Sequence, residues 1–319
     1  MGPNGKGALL ALLAFGIYAT HDVVVKLMGA SYSPVQLIFF SVLFSFPLAM
    51  LMIMRDAQPG TLRPVHPWWI ALRTAAAVLT GLTAFYAFSV LPLTQVYAIV
   101  FATPLFITIL AIPILGEKVR IRRWLAVIAG LIGVMVVLRP GGGDLSLGHL
   151  AALLAALGGS VASIIVRKIG PEERPVVLLL YPMLANFILM AAALPFVYEP
   201  MPIEHMGFVG IMSVLGWIGG VVIIKAYNAG EAVIVAPMQY SQILWATAYG
   251  MVFFNETPDG RTVLGAGIII ASGLYIVLRE SRKSESNRPV LQSKNRPDTG
   301  TSPRRNLIDR VTRSVRHLD

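Results

Sequence analysis

A chain of 319 residues that is 56% hydrophobic and only 13% charged, with a mean hydropathy of +0.71, has too little charge to cover a water-facing surface, where about 25% is usual. It reads as a polytopic membrane protein. The formal charge of +10 does not point to nucleic acid, because eleven of the 26 Lys and Arg lie between Arg279 and Arg316 and most others sit at the ends of apolar runs, which is the pattern of membrane orientation. The absence of cysteine excludes disulfides and thiolate chemistry.

The N-terminal "MGPNGKG" leads directly into a full-length apolar run with no small-residue cleavage site after it, so that run is expected to be retained as a span. Ten runs of spanning length follow one another, at about 7–28, 34–54, 67–90, 94–115, 122–139, 146–167, 175–197, 206–228, 232–254 and 261–279. Each has the roughly 17–25 residues that a helix needs to cross the hydrocarbon layer. They do not alternate apolar and polar residues, which argues against a barrel. The predicted fold class is an all-α membrane protein of ten transmembrane helices.

The first span ends in "YATHDVVVKLMG", with three polar residues in an otherwise apolar run. Asp22 and Lys26 are four apart, share a helical face and stand in the favourable acid-then-base order. Tyr18 lies one turn earlier on that face, and His21 at its edge. One reading makes Asp22 and Lys26 a self-neutralised pair that serves folding. The other has Tyr18, Asp22 and His21 facing a central cavity to bind a cationic or zwitterionic substrate, since ionisable residues inside a membrane are functional candidates by default. In the third span Arg73 is expected to snorkel to the headgroups, and Tyr86 is a candidate for the cavity wall. The fourth span adds Gln95, Tyr97 and Thr103. The ninth, "AVIVAPMQYSQILWA", adds Gln239, Tyr240, Gln242, Trp245 and, beyond it, Tyr249; amides facing lipid would lack partners. The candidate substrate-binding set is Tyr18, His21, Asp22, Tyr86, Tyr97, Gln239, Tyr240 and Gln242.

Loop charges set the direction. Lys6, Arg55, Arg63, the basic cluster in "GEKVRIRR" (116–123) and Arg167, Lys168 and Arg174 all fall on one side of a ten-span chain, against Lys26, Arg139 and Arg261 on the other. The positive-inside rule then places both termini in the cytoplasm. The chain also matches itself. Residues from Gly7 align with those from Gly148, with Lys26 on Arg167, Gly29 on Gly170 and Pro34 on Pro175. Tyr86–Arg120 aligns with Lys225–Asp259, with Glu117 on Glu256. The repetition of the two glutamates suggests that they cap or brace each half. Five spans per half make the repeats inverted, an arrangement suited to alternating access. The expected organisation is a first repeat over 1–139, a linker over 140–145, a second repeat over 146–279, and a basic, mostly disordered cytoplasmic tail over 280–319. Within that tail, Leu307, Val311, Val315 and Leu318 form a narrow apolar stripe among arginines, so its end reads either as a surface helix or as a solvated charge-rich tail.

At this point the sequence resembles the drug/metabolite transporter superfamily, in its ten-span EamA-type branch. The likeness rests on the paired span ends "LGEKVRIRRWLAVIAGLIGVMVVLRPG" and "FNETPDGRTVLGAGIIIASGLYIVLRE" and on the ninth span. Within that branch the first span is similar to that of S-adenosylmethionine uptake carriers at His21, Asp22 and Lys26. The ninth span differs from theirs, with Pro237-Met238-Gln239-Tyr240 where those carriers have Pro-Tyr-Arg-Tyr, and Gln242 near their Glu. The resemblance implies a secondary transporter of a small organic metabolite in the inner membrane. The best expectation is a cationic or zwitterionic, amino-acid-like or S-adenosylmethionine-like solute; the alternative is an exporter of amino acids, vitamins or drugs.

No phosphate-cradling loop, metal-ligand spacing or nucleophile elbow appears, so no cofactor, no metal and no enzymatic activity are expected. A membrane-embedded enzyme or a non-transporting subunit remains the alternative class. The expected partners are the substrate, the lipid bilayer and a coupling proton at Asp22 or His21, with no nucleic acid. Monomer and homodimer are both left open.

Overall fold

The computed structural model describes residues 3–54, 62–116, 121–138, 145–170, 172–230 and 235–286. Eleven α-helices run through them: α1 (Pro3–Gly29), α2 (Pro34–Met54), α3 (Pro67–Val90), α4 (Leu93–Val100), α5 (Thr103–Leu115), α6 (Ile121–Leu138), α7 (Leu147–Ile169), α8 (Pro175–Ala193), α9 (Ile203–Ala229), α10 (Gln242–Phe254) and α11 (Gly260–Ser286). Two 3-10 turns, Leu194–Phe196 and Ala236–Ser241, extend α8 and precede α10. No strand occurs among the described residues. Six segments between Gly5 and Ala226 are long and apolar enough to span a membrane, and Pro34–Leu48, Trp124–Leu138 and Gly260–Tyr275 are shorter apolar helices at the second, fifth and tenth runs. The turn at Ala236–Ser241 and α10 together supply the ninth. The chain is thus an all-α, ten-span protein in two five-span repeats. Residues 140–144 of the expected linker, the loop holding Glu117 and most of the C-terminal tail lie outside the described residues.

The fourth and ninth spans are broken helices, and the breaks fall at matching places. The fourth is interrupted at Phe101–Ala102, between α4 and α5, and the ninth opens as a 3-10 turn that ends at Ser241. In the repeat alignment Phe101 and Ala102 fall on Tyr240 and Ser241. Pro104 causes the first break, because it has no N–H to give the carbonyl four residues earlier. That carbonyl, of Val100, is met instead by the Thr103 hydroxyl at 2.6 Å. Pro237 sits in the first turn of the second interruption. Irregular backbone at membrane depth is tolerated only where protein or a cavity surrounds it, and in carriers with inverted repeats such breaks mark the substrate site.

Residues 1–278 pack as one unit. Its closest helix pairs are α1 with α9 and α3 with α7, followed by α5 on α7 and α2 on α8 and α9. These pairs exchange under a swap of the repeats: the first span of each half lies on the third span of the other, and the two second spans face each other. Two glycines show the same relation in detail. A Cβ on Gly7 would come within 2.7 Å of Gly230, and one on Gly148, its counterpart, within 2.8 Å of the Leu91 side chain, which is the counterpart of Gly230. Gly7 opens α1, whereas Leu91 lies beside the far end of α1, where it accepts a hydrogen bond from Lys26. The two contacts therefore sit at opposite ends of the bundle, as an inverted repeat requires. Large apolar side chains such as Leu9, Leu13, Leu244 and Val252 are exposed on the outside, where lipid is the solvent.

Candidate functional site

The polar residues of the first span point inward, at the level of the helix breaks. Asp22 is the centre. Its Oδ2 accepts a hydrogen bond from the Tyr97 hydroxyl on α4, and its Oδ1 lies 2.8 Å from His21 Nδ1. Gln242, the first residue of α10, lies beside the same Tyr97 side chain. An Asp in the centre of a membrane helix costs about 2.5–3.5 kcal/mol to insert, and these hydrogen bonds offset that cost by satisfying both carboxylate oxygens. The fold brings Tyr97 and Gln242 together because each flanks one of the two breaks, one in each repeat.

Aromatic rings and glycines surround the carboxylate. The His21 ring meets Phe85 of α3 edge-on, with centroids 6.2 Å apart, and lies over Gly216 of α9, where a Cβ would stand 3.6 Å from its Cδ2. Tyr18 rests on Gly219 more closely still, with only 2.9 Å between a Cβ there and the ring Cε1. Tyr97 packs edge-on against Phe88 at 5.4 Å. On the α10 side, Thr20 Oγ1 lies 3.0 Å from the Tyr249 hydroxyl, and Tyr249 stacks on Trp245 at 6.0 Å.

The structure thus gathers Tyr18, His21, Asp22, Tyr97 and Gln242 around one point. Tyr240 is set apart from them. It is buried, its ring meets Phe101 edge-on at 5.1 Å, and its hydroxyl lies where a Cβ on Gly273 would be, 1.9 Å away. It reaches Tyr97 only through Phe101, whose ring lies 6.0 Å from that of Tyr97. Tyr86 and Gln239 are half-buried and join no hydrogen bond to Asp22. Arg73 is half-buried and donates from Nη1 to the Leu178 carbonyl on α8, so its head turns into the protein.

The intrahelical pair of Asp22 with Lys26 does not form. Lys26 is buried and its Nζ lies 2.8 Å from Glu256 Oε1, just past the end of α10. It also donates to the Leu91 carbonyl and stands 5.1 Å from the centre of the Phe254 ring. The reason is access: Lys26 sits one turn nearer the end of the bundle, where the half-buried Glu256 carboxylate and the Leu91 main-chain carbonyl are both within reach. Glu256 accepts the Leu93 N–H at 3.1 Å with its other oxygen, so its side chain reaches into the first repeat, where its repetition had suggested a cap or brace within its own half. Its counterpart Glu117 lies outside the described residues. Sequence reasoning missed Thr20 and the glycines of α9. The close spacing of Gly216, Gly219 and Gly220 in "GWIGG" was the available pointer to a ring-bearing neighbour. Among the described residues, no group of three or more acidic, His or Cys side chains could hold a metal ion.

Comparison with known proteins agrees with this architecture. The model of the EamA-like transporter family matches residues 5–139 and again 146–278. The chain belongs to that family. It is 28% identical to the S-adenosylmethionine uptake transporter of Rickettsia prowazekii (strain Madrid E), over 88% of this chain and 95% of the relative. It is 29% identical to the riboflavin transporter of Vibrio cholerae over 89% of this chain and 97% of the relative, and 25% identical to the pseudopaline exporter CntI of Pseudomonas aeruginosa over 87% and 97%. A solved crystal structure superposes with a TM-score of 0.60 at 18% identity, covering 88% of this chain and 99% of its own, which shows a shared fold. This EamA-like protein is therefore a multi-pass membrane transporter of small metabolites.

Proposed function

We propose that this EamA-like transporter moves a cationic or zwitterionic organic metabolite with a planar ring, of the S-adenosylmethionine kind, across the inner membrane by alternating access, with both termini cytoplasmic. The observation that carries the reading is the state of Asp22. Its carboxylate lies between the two helix breaks, and the lysine one turn away is committed to Glu256. Among the described residues its one ion-pair contact is His21. A carboxylate so placed, with aromatic rings beside it, suits a positively charged group, which gains both Coulombic attraction and cation–π contact. Tyr18, His21, Tyr97 and Gln242 hold the carboxylate and line its surroundings. Tyr86 and Gln239 take part by shaping the walls, and Tyr240 by supporting Phe101 from behind. The substrate for which the Rickettsia relative is named supports this class.

The pairing of His21 with Asp22 also supports a coupling proton. An incoming cation competes with a proton for the carboxylate, and the imidazole 2.8 Å away is placed to take the proton up. The test is counterflow in proteoliposomes: labelled S-adenosylmethionine should accumulate against an unlabelled internal pool, and Asp22→Asn should abolish the accumulation. A second reading follows from the riboflavin relative, since a planar aromatic solute fits beside the rings of Phe85, Trp245 and Tyr249. Exchange of riboflavin, insensitive to Asp22→Asn, would favour it.

A further inference from the structure

The Lys26–Glu256 pair ties together elements that alternating access must separate. Lys26 belongs to α1 in the first repeat and Glu256 follows α10 in the second. The pair is stitched to the α3–α4 connection from both sides, since Lys26 donates to the Leu91 carbonyl and Glu256 accepts from the Leu93 N–H at 3.1 Å. Every member has a defined position. Asn255 turns the chain with φ 53° and ψ 31° at the end of α10, a left-handed cap that Asn tolerates well. The Glu256 N–H then closes on the Gly250 carbonyl at 2.9 Å. Gly250 leaves room for the carboxylate: a Cβ there would lie 3.3 Å from Glu256 Oε2. The lysine ammonium stands at the C-terminal end of α10, where a positive charge is favoured.

We infer that this four-part contact is a clasp that holds the Lys26 end of the carrier shut, and that it parts when the site opens to that side. A permanent brace would gain by being apolar, because a buried ion pair is often no more stabilising than well-packed hydrophobic residues. An ion pair suits a contact that must be remade, since each partner can be solvated when the end opens. Asp22 lies one turn below Lys26 on the same helix, and Gln242 begins the helix that Glu256 follows. Movement at the site is therefore transmitted directly to the clasp. The purpose of the clasp rests on the carrier reading, but its opening is measurable without any substrate.

The full chain has no cysteine, so spin labels can be placed cleanly at Ala30, just after α1, and Thr257, just after Glu256; both are exposed. Pulsed electron–electron distance measurement on the reconstituted protein should give one dominant short distance. Glu256→Gln keeps the shape and the acceptor for Leu93 while removing the charge, and Lys26→Met removes the ammonium. Each should raise a second, longer population by about tenfold or more, the scale expected when a buried pair loses one partner. Lys26→Arg, which copies the Arg167 of the second repeat, should keep the parent distribution. Unchanged distances in both Glu256→Gln and Lys26→Met, in protein that elutes as the parent does, would overturn the clasp.

Discussion

Lys26→Met tests whether the lysine serves the fold or the carboxylate one turn away. If Lys26 only offset the charge of Asp22, its loss would disturb the site and leave stability nearly unchanged. The structure requires the opposite. Removing the ammonium leaves Glu256 charged, with its side chain only 20% exposed, and leaves the Leu91 carbonyl without its donor. Breaking a buried pair from one side costs about 3–5 kcal/mol. The remaining exposure of Glu256 and its bond to Leu93 hold the loss near the low end, at about 3 kcal/mol. For a chain of this size each kcal/mol lowers the melting midpoint by roughly 1.5 °C, which gives a drop of about 4–5 °C. Intrinsic tryptophan fluorescence of the detergent-purified protein on heating reads this directly. Lys26→Arg should recover most of the loss. A Lys26→Met midpoint within about 2 °C of the parent would refute the reasoning.

Three further outcomes follow. Asp22→Asn should abolish uptake while melting within a few degrees of the parent, because the amide still accepts from Tyr97; near-normal uptake would leave the carboxylate a packing residue. Gly219→Ala should lower transport sharply, since its Cβ would stand 2.9 Å from Tyr18 Cε1, and Tyr18→Leu in the same chain should restore part of it; equal activity of Gly219→Ala and parent would show that Tyr18 has room to move. A cysteine at Thr257 should react with an impermeant maleimide in intact cells and one at Glu172 should not. The reverse pattern would invert the proposed topology.

The spans were legible because length and apolarity alone define them: the runs at 34–54 and 67–90 coincide with α2 and α3. The repeats were legible because Gly, Pro, basic and Glu landmarks recur, and Gly7 and Gly148 prove to occupy equivalent contacts. Asp22 stood out in the sequence because a carboxylate in an apolar run has to find partners, and the structure supplies Tyr97 and His21. Of its two readings, the one that paired it with Lys26 does not hold, because Lys26 pairs with Glu256. Spacing within one helix can show only that two side chains share a face. It cannot show that Glu256, 230 positions along, stands nearer to the lysine. Tyr240 stands two residues before Gln242, but the 3-10 turn that ends at Ser241 changes the angular step between them and sends the ring toward Gly273. The role of Gly219 needed the facing helix, because a glycine in a span has no partner in the sequence.

The central claim is that Asp22 recognises a cation carried across the membrane. Counterflow in proteoliposomes tests it most directly, with labelled S-adenosylmethionine outside, a large unlabelled pool inside, and parent and Asp22→Asn protein compared at equal reconstitution. The account predicts transient accumulation with the parent, competition by other organic cations, and none with Asp22→Asn. Accumulation undiminished by Asp22→Asn, or exchange only of neutral and anionic solutes by the parent, would contradict it.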